Sequence, residues 1–131
     1  MSTLKVGTLQ DTSAANSSTP AQINSGRAKV WIEFTGQGSA AIVADYGVSS
    51  VARRSNGNYT VTFDSSFANT NYIVSCTTGV NFDSWVDGQD SPDQTSVCLN
   101  KYTGDVYVGA GDMDDGAPDD VDRMCVVIWA A

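Results

Sequence analysis

The sequence contains no histidine and only one glutamate, Glu33, among its 131 residues. Without histidine there is no imidazole general base, no Ser-His or Cys-His nucleophile pair, and no zinc site with imidazole ligands. Neither a G-x-x-x-x-G-K-[ST] phosphate loop nor a strand-anchored G-x-G-x-x-G is present. Paired carboxylates could still cleave glycosides, but the aspartates cluster in polar segments typical of solvated loops. We therefore expect a non-enzymatic protein with no catalytic residues.

Cysteines are also few. Cys76, Cys98 and Cys125 are odd in number and far apart, so they cannot form a complete disulfide framework or an all-cysteine zinc site. Cys76 and Cys125 stand in apolar runs, and we expect buried, unreactive thiols. No stretch approaches the ~20 apolar residues that span a bilayer, and Met1–Gln10 lacks the apolar run of a signal peptide. These features predict a protein made in the cytoplasm.

The charge is uneven along the chain. The net charge is -8, and from Asn81 onward eleven aspartates face only Lys101 and Arg123. Such an excess of negative charge repels nucleic-acid phosphates and anionic lipid headgroups. We expect no nucleic-acid partner and no membrane partner.

What is present is strand periodicity. Ala28–Phe34 and Tyr59–Phe63 alternate apolar and polar residues, and Asn56-Gly57 is a strong hairpin signal. Similar short runs cover 40–44, 48–52, 72–76, 95–99 and 105–110. Met124–Trp129 is continuously apolar, which predicts a closing strand buried on both faces. About seven or eight strands indicate an all-β, antiparallel, jelly-roll-like β-sandwich over residues 27–131.

Residues 1–26 differ from the rest. They are rich in Ser, Thr, Asn and Ala, which predicts an extended N-terminal arm for assembly, without a compact fold of its own. We expect the arm to pack on a neighbouring subunit or partner through its apolar side chains: Leu4, Val6, Leu9 and Ile23.

The acidic segment Gly111–Asp122 has two interpretations. Calcium prefers oxygen ligands on a glycine-containing loop, and the candidate ligands are Asp112, Asp114, Asp115, Asp119, Asp120 and Asp122. The spacing of an EF-hand loop is not met, because Gly116 takes its fifth position. A plain acidic surface is the favoured interpretation, with calcium as the alternative and no other cofactor.

Aromatic residues supply the candidate binding surface. We expect most of them, Trp31, Tyr46, Tyr102 and Tyr107 among them, to pack in the core. Trp85 stands in a polar segment, where it is either an interface or ligand contact or part of the core. The predicted surface around it comprises Phe82, Asp83, Trp85, Asp87 and Asp90.

Several stretches resemble a known group of proteins. Ser2–Ser13, Ser18–Ile23 and Gly26–Gly36 look like the start of short bacteriophage tail-fibre or virion structural proteins, found in phages of cyanobacteria and other aquatic bacteria. The middle of the chain is similar to the same group at Tyr46–Val51, Gly57–Phe63 and Phe67–Val74. The resemblance covers residues 2 to 76 and the last strand, and Asn81–Asp93 and Gly111–Asp122 depart from it.

The resemblance implies a virion protein assembled in the host cytoplasm, bound to other virion proteins and to copies of itself, often as a homotrimer. Three functions stay open: a tail-fibre or tail-associated host-adhesion subunit, a capsid decoration or cement protein, and a sugar-binding module for host surface glycans. The first is the expected function.

Overall fold

The computed structural model describes residues 5–10, 17–79, 94–112 and 117–130. Within these ranges the chain forms short and long strands with one brief helix. The elements are β1 (Leu9–Gln10), β2 (Ser17–Ser18), α1 (Pro20–Gly26), β3 (Val30–Thr35), β4 (Ala41–Tyr46), β5 (Val48–Ser55), β6 (Asn58–Phe63), β7 (Tyr72–Gly79), β8 (Gln94–Lys101), β9 (Asp105–Asp112) and β10 (Arg123–Ala130).

The eight longer strands form two antiparallel sheets. One has the order β4-β3-β10-β7 and the other the order β5-β6-β9-β8. Gly47 alone separates β4 from β5 and carries the chain from one sheet to the other, with a left-handed φ of 75°. Asn56-Gly57 turns β5 into β6 with φ 65° at the glycine, so the hairpin prediction is confirmed. The predicted all-β antiparallel sandwich is confirmed as well.

The core lies between the two sheets and is built by alternation along each strand. In β3, Val30, Ile32 and Phe34 point inward, and their partners on β10 point the same way. The rings of Phe34 and Tyr59 meet edge to face across the core, 5.1 Å apart. The buried residues are Val30, Ile32, Phe34, Val48, Tyr59, Val61, Phe63, Tyr72, Val106, Val108, Ala110, Val121, Met124, Val126 and Ile128.

Helix α1 lies in the segment for which the composition predicted no compact structure. Thr19 caps it: its hydroxyl accepts from the Gln22 amide, and the Gln22 side chain accepts from the Thr19 amide. Pro20 occupies the first turn, where a missing N–H costs nothing. The Thr-x-x-Gln spacing is a sequence signal for a helix start, and the sequence-based prediction overlooked it.

The closing strand β10 was expected to be buried on both faces, and this prediction is wrong. Met124, Val126 and Ile128 are buried, whereas Cys125 is exposed and Val127 is half-buried. The physical reason is that each sheet of a two-layer sandwich packs only one face on the core. The apolar residues of the other face therefore lie on the surface.

Candidate functional site

Part of the predicted site falls outside the residues that the structure describes. These residues are Leu4, Phe82, Asp83, Trp85, Asp87, Asp90, Asp114 and Asp115. Asp112 ends β9, and its side chain also lies outside the described part. The proposed surface around Trp85 stays a prediction.

The described apolar residues of the arm bury little. Val6 is half-buried, whereas Leu9 in β1 and Ile23 in α1 are exposed. No residue of α1 is buried, so the helix is held by its cap and by contacts at its C-terminal end. Lys29 makes that contact, because its Nζ donates to the backbone oxygen and to Oδ1 of Asn24 at 2.6 and 2.8 Å.

Asp120 is the most highly connected of the described acidic residues. Its carboxylate is held by the Arg53 guanidinium, with an N–O distance of 2.7 Å. It also accepts hydrogen bonds from the Gly57 amide at 2.9 Å and from the Tyr59 hydroxyl at 3.0 Å. These bonds fasten the segment before β10 to the β5–β6 hairpin. The Arg53 hydrogen bond, helped by Gly57 and Tyr59, lowers the pKa of Asp120 below its ordinary value.

The Tyr59 hydroxyl extends the same network into the core. It lies 3.1 Å from the Gly36 backbone oxygen, and it accepts from the Val121 amide at 3.3 Å. Burial raises the pKa of Tyr59 to about 12, so the hydroxyl keeps its proton at neutral pH. A side chain at Gly36 would run into this hydroxyl.

The other two described candidates for calcium binding have separate contacts. Asp119 accepts from the Asp120 amide at 2.9 Å, and Asp122 accepts from the Gln37 side-chain amide. Among the described residues no group of three or more acidic, cysteine or histidine side chains is gathered as a metal site would require. The calcium alternative stays a prediction, in which Asp120 would have to exchange its arginine for the ion.

The cysteines differ from the expectation of buried thiols. Cys76 and Cys98 are half-buried at the edge of the core, and Cys125 is exposed. Burial raises the pKa of Cys76 to about 12, and it also raises the pKa values of Cys98 and Cys125. All three are free thiols held in the protonated form at neutral pH.

The outer face of the β4-β3-β10-β7 sheet carries aromatic and aliphatic side chains at positions where polar side chains would be expected. Trp31 pairs with Tyr46 on β4 and with Val127 on β10, while Trp129 pairs with Ile73 on β7. Cross-strand partners share a face, so these residues form one surface. We call the aromatic face the set Trp31, Tyr46, Ile73, Cys125, Val127 and Trp129.

Exposure of the aromatic face is high for such large side chains. Ile73 is 70% exposed, Tyr46 57% and Trp31 40%. The expectation that Trp31, Tyr46 and Tyr102 pack in the core is therefore wrong, because each stands on the outer side of its strand or in a turn. Contiguous exposed apolar groups of this kind mark contact surfaces.

The other sheet provides an internal comparison. Near β5 and β6 its outer face carries Ser50, Thr60 and Thr62, which are polar, as an outer face of an antiparallel sheet ordinarily is. Toward β8 the same face carries Val97 and Leu99, each 46% exposed. Both sheets therefore expose apolar side chains on part of their outer faces.

A second, smaller aromatic group lies partly on the outer face of the β5-β6-β9-β8 sheet and partly in the turn between β8 and β9. The rings of Tyr102 and Tyr107 are 4.9 Å apart, and the Arg54 guanidinium sits 4.0 Å from the centre of the Tyr107 ring. The contact of Arg54 with Tyr107 is a cation–π interaction, and Tyr102 is 45% exposed.

No known protein family, curated protein or solved structure matches the chain. Within the described ranges no helix is long and apolar enough to cross a membrane.

Sequence reasoning missed both structural features on which this site depends. The Arg53–Asp120 pair joins residues 67 positions apart, and no local pattern signals it. The aromatic face was visible in part, since Trp31 alternates out of phase with Val30, Ile32 and Phe34. That phase places Trp31 on the outer side of a two-layer sandwich.

Proposed function

We propose that the chain is a non-enzymatic structural subunit of a bacteriophage virion, acting in a tail fibre or as a tail-associated host-adhesion protein. The observation that carries the proposal is the aromatic face. A sandwich with a filled core and a second apolar surface is suited to contact with another protein surface in an assembly.

The virion setting comes from the sequence resemblance over residues 2 to 76. The ion pairs of Asp120 with Arg53 and of Glu33 with Arg123 join strands or segments of the sandwich to one another and stabilise the fold.

The experiment is to purify particles of the phage that encodes this chain and to quantify it against the major capsid protein by mass spectrometry. A tail-fibre subunit is expected at a few to a few tens of copies per particle. A ratio near one to the major capsid protein would contradict the fibre assignment and support the capsid decoration alternative. Absence from the particles would overturn the virion proposal altogether.

A sugar-binding role is the second candidate, and one observation favours it. Tyr102 and Tyr107 form an exposed aromatic group beside Arg54, and aromatic rings stack on sugar rings. This function predicts that the protein binds members of a broad glycan panel and that Tyr102→Ala weakens the binding. The variant Trp85→Ala tests the sequence-based surface in the same assay. No binding on the panel would count against the sugar-binding role.

A further inference from the structure

We infer that Asn56 is a site of spontaneous deamidation, and that Asp120 protects it for as long as the segment 117–122 lies on the turn between β5 and β6. The inference does not depend on the proposed function. Asn56-Gly57 is the only Asn-Gly pair in the sequence. Because glycine has no side chain to crowd its own amide nitrogen, that nitrogen can reach the side chain of the preceding asparagine.

The reaction needs only these two residues and water. The Gly57 nitrogen loses its proton to solvent and attacks Cγ of Asn56, which closes a succinimide ring. The bond between Cγ and Nδ2 breaks, and Nδ2 takes a proton from solvent and leaves as ammonia. Water then opens the ring at either carbonyl and gives aspartate or isoaspartate at this position. The net change replaces the amide by a carboxylate, consumes one water and releases one ammonia.

The first observation is that the attacking nitrogen is already engaged. The Gly57 amide donates to Oδ1 of Asp120 at 2.9 Å. A carboxylate is a strong acceptor for an amide N–H, and its negative charge opposes removal of the amide proton. The Gly57 nitrogen is therefore held in its unreactive, protonated form while Asp120 stays in place.

The second observation is that the Asn56 amide is held at both of its polar atoms. Nδ2 donates to the Pro118 backbone oxygen at 2.7 Å, and Oδ1 accepts from the Arg53 guanidinium at 3.2 Å. Arg53 is in turn paired with Asp120 at an N–O distance of 2.7 Å. Ring closure turns this side chain onto the next amide nitrogen and expels Nδ2, so the bond to Pro118 has to break.

The third observation is that the turn is packed under the segment 117–122. Gly57 is buried, and a Cβ built there would collide with the Ala110 oxygen and with the Asp119 backbone. The Gly57 oxygen accepts from the Ala110 amide at 2.7 Å, and the Ala110 oxygen accepts from the Asp119 amide at 3.1 Å. The backbone at the turn therefore has little room to rearrange, and local opening of the segment has to precede the reaction.

Peptide mapping by mass spectrometry over a time course at mildly alkaline pH tests the inference, because conversion of Asn56 changes the mass of its peptide. Three proteins are compared under native conditions: the wild type, Asp120→Ala, and Asp45→Ala as the control, which removes one exposed carboxylate from β4 in the other sheet. The wild type unfolded in guanidinium chloride at the same pH gives the rate of the unprotected pair. Circular dichroism checks that both variants keep the fold.

We expect Asn56 to deamidate at least tenfold more slowly in the folded wild type and in Asp45→Ala than in the unfolded chain. Folded Asp120→Ala should lose most of that difference. A folded wild type that reacts at the rate of the unfolded chain would overturn the inference. A folded Asp120→Ala that reacts as slowly as the wild type would overturn it too, because another contact would then protect the turn.

A second measurement serves if Asp120→Ala does not fold. Hydrogen exchange of the Gly57 amide in the wild type reports its release from Asp120. At guanidinium concentrations below the unfolding transition, the exchange rate of Gly57 and the deamidation rate of Asn56 should rise by the same factor, because both wait for the same opening. Deamidation that accelerates while this exchange rate stays constant would contradict the role of Asp120.

Discussion

Asp120 brings together residues that are distant in the sequence. Its carboxylate takes hydrogen bonds from Arg53, Gly57 and Tyr59, which lie on β5, on the hairpin turn and on β6. The acidic segment that the sequence presented as a possible calcium loop therefore contains a carboxylate already neutralised by arginine. The Asp120 carboxylate therefore connects the β5–β6 hairpin to the segment that precedes β10.

The variant Asp120→Asn tests that role through its pH dependence. The folded pKa of Asp120 is lowered, so the stability it adds is present above the unfolded value of about 3.9 and is lost as the pH falls through the folded pKa. We expect the variant to be about 2 kcal/mol less stable at pH 7, the scale of hydrogen bonds to a charged group. Urea unfolding at pH 7 and at pH 3 should show this difference shrinking at the lower pH.

Asp119→Asn is the matched control, because asparagine keeps the oxygen that accepts from the Asp120 amide. Its stability should stay within about 0.5 kcal/mol of the wild type at both pH values. An Asp120→Asn deficit that is equally large at pH 3 would show that the charge of Asp120 is not what matters.

Gly57 and Gly38 have almost the same backbone φ, so their alanine variants distinguish the cost of a left-handed backbone from the cost of a steric clash. Gly57 has φ +65° and a Cβ there would clash with the Ala110 oxygen, while Gly38 has φ +67° and open space around it. Gly38→Ala should cost only the left-handed penalty of about 1 kcal/mol. Gly57→Ala should cost at least about 3 kcal/mol, because crowding adds to the same penalty. Thermal unfolding of both variants checks this, and equal losses would mean that the turn relaxes freely.

Strand β3 shows how far the sequence determines an element. Its alternation predicted the strand, and the structure places Val30, Ile32 and Phe34 in the core as that pattern requires. The same alternation places Trp31 outside, but the general tendency of tryptophan to be buried led to the opposite expectation. Helix α1 was missed because its seven residues are too short to show a 3.6-residue period, although Thr19 and Gln22 form a recognisable cap. Contacts such as Arg53–Asp120 depend on tertiary packing, which a single sequence does not reveal.

The two faces of β3 should respond differently to truncation. Phe34→Ala empties a fully buried site against Tyr59 and should cost about 3–5 kcal/mol. Trp31→Ala removes a side chain from the outer face and should cost less than about 1 kcal/mol in dilute protein. Urea unfolding at low micromolar concentration measures both. Similar losses for the two variants would contradict the assignment of Trp31 to the surface.

At the scale of the whole molecule, the described residues form a sandwich with one filled core and with an exposed apolar surface on the outer side of the β4-β3-β10-β7 sheet. Assembly gives the aromatic face a physical purpose.

Cys125 reports directly on whether the aromatic face is covered, because its thiol is exposed on that face in the single chain. The measurement is the rate of maleimide labelling of Cys125 at fixed pH, at nanomolar and at high micromolar protein concentration. The variant Cys125→Ser gives the background labelling of Cys76 and Cys98. We expect at least a fivefold slower rate at the high concentration, as copies associate and cover the thiol. An unchanged rate across that range would contradict an assembly role for the aromatic face.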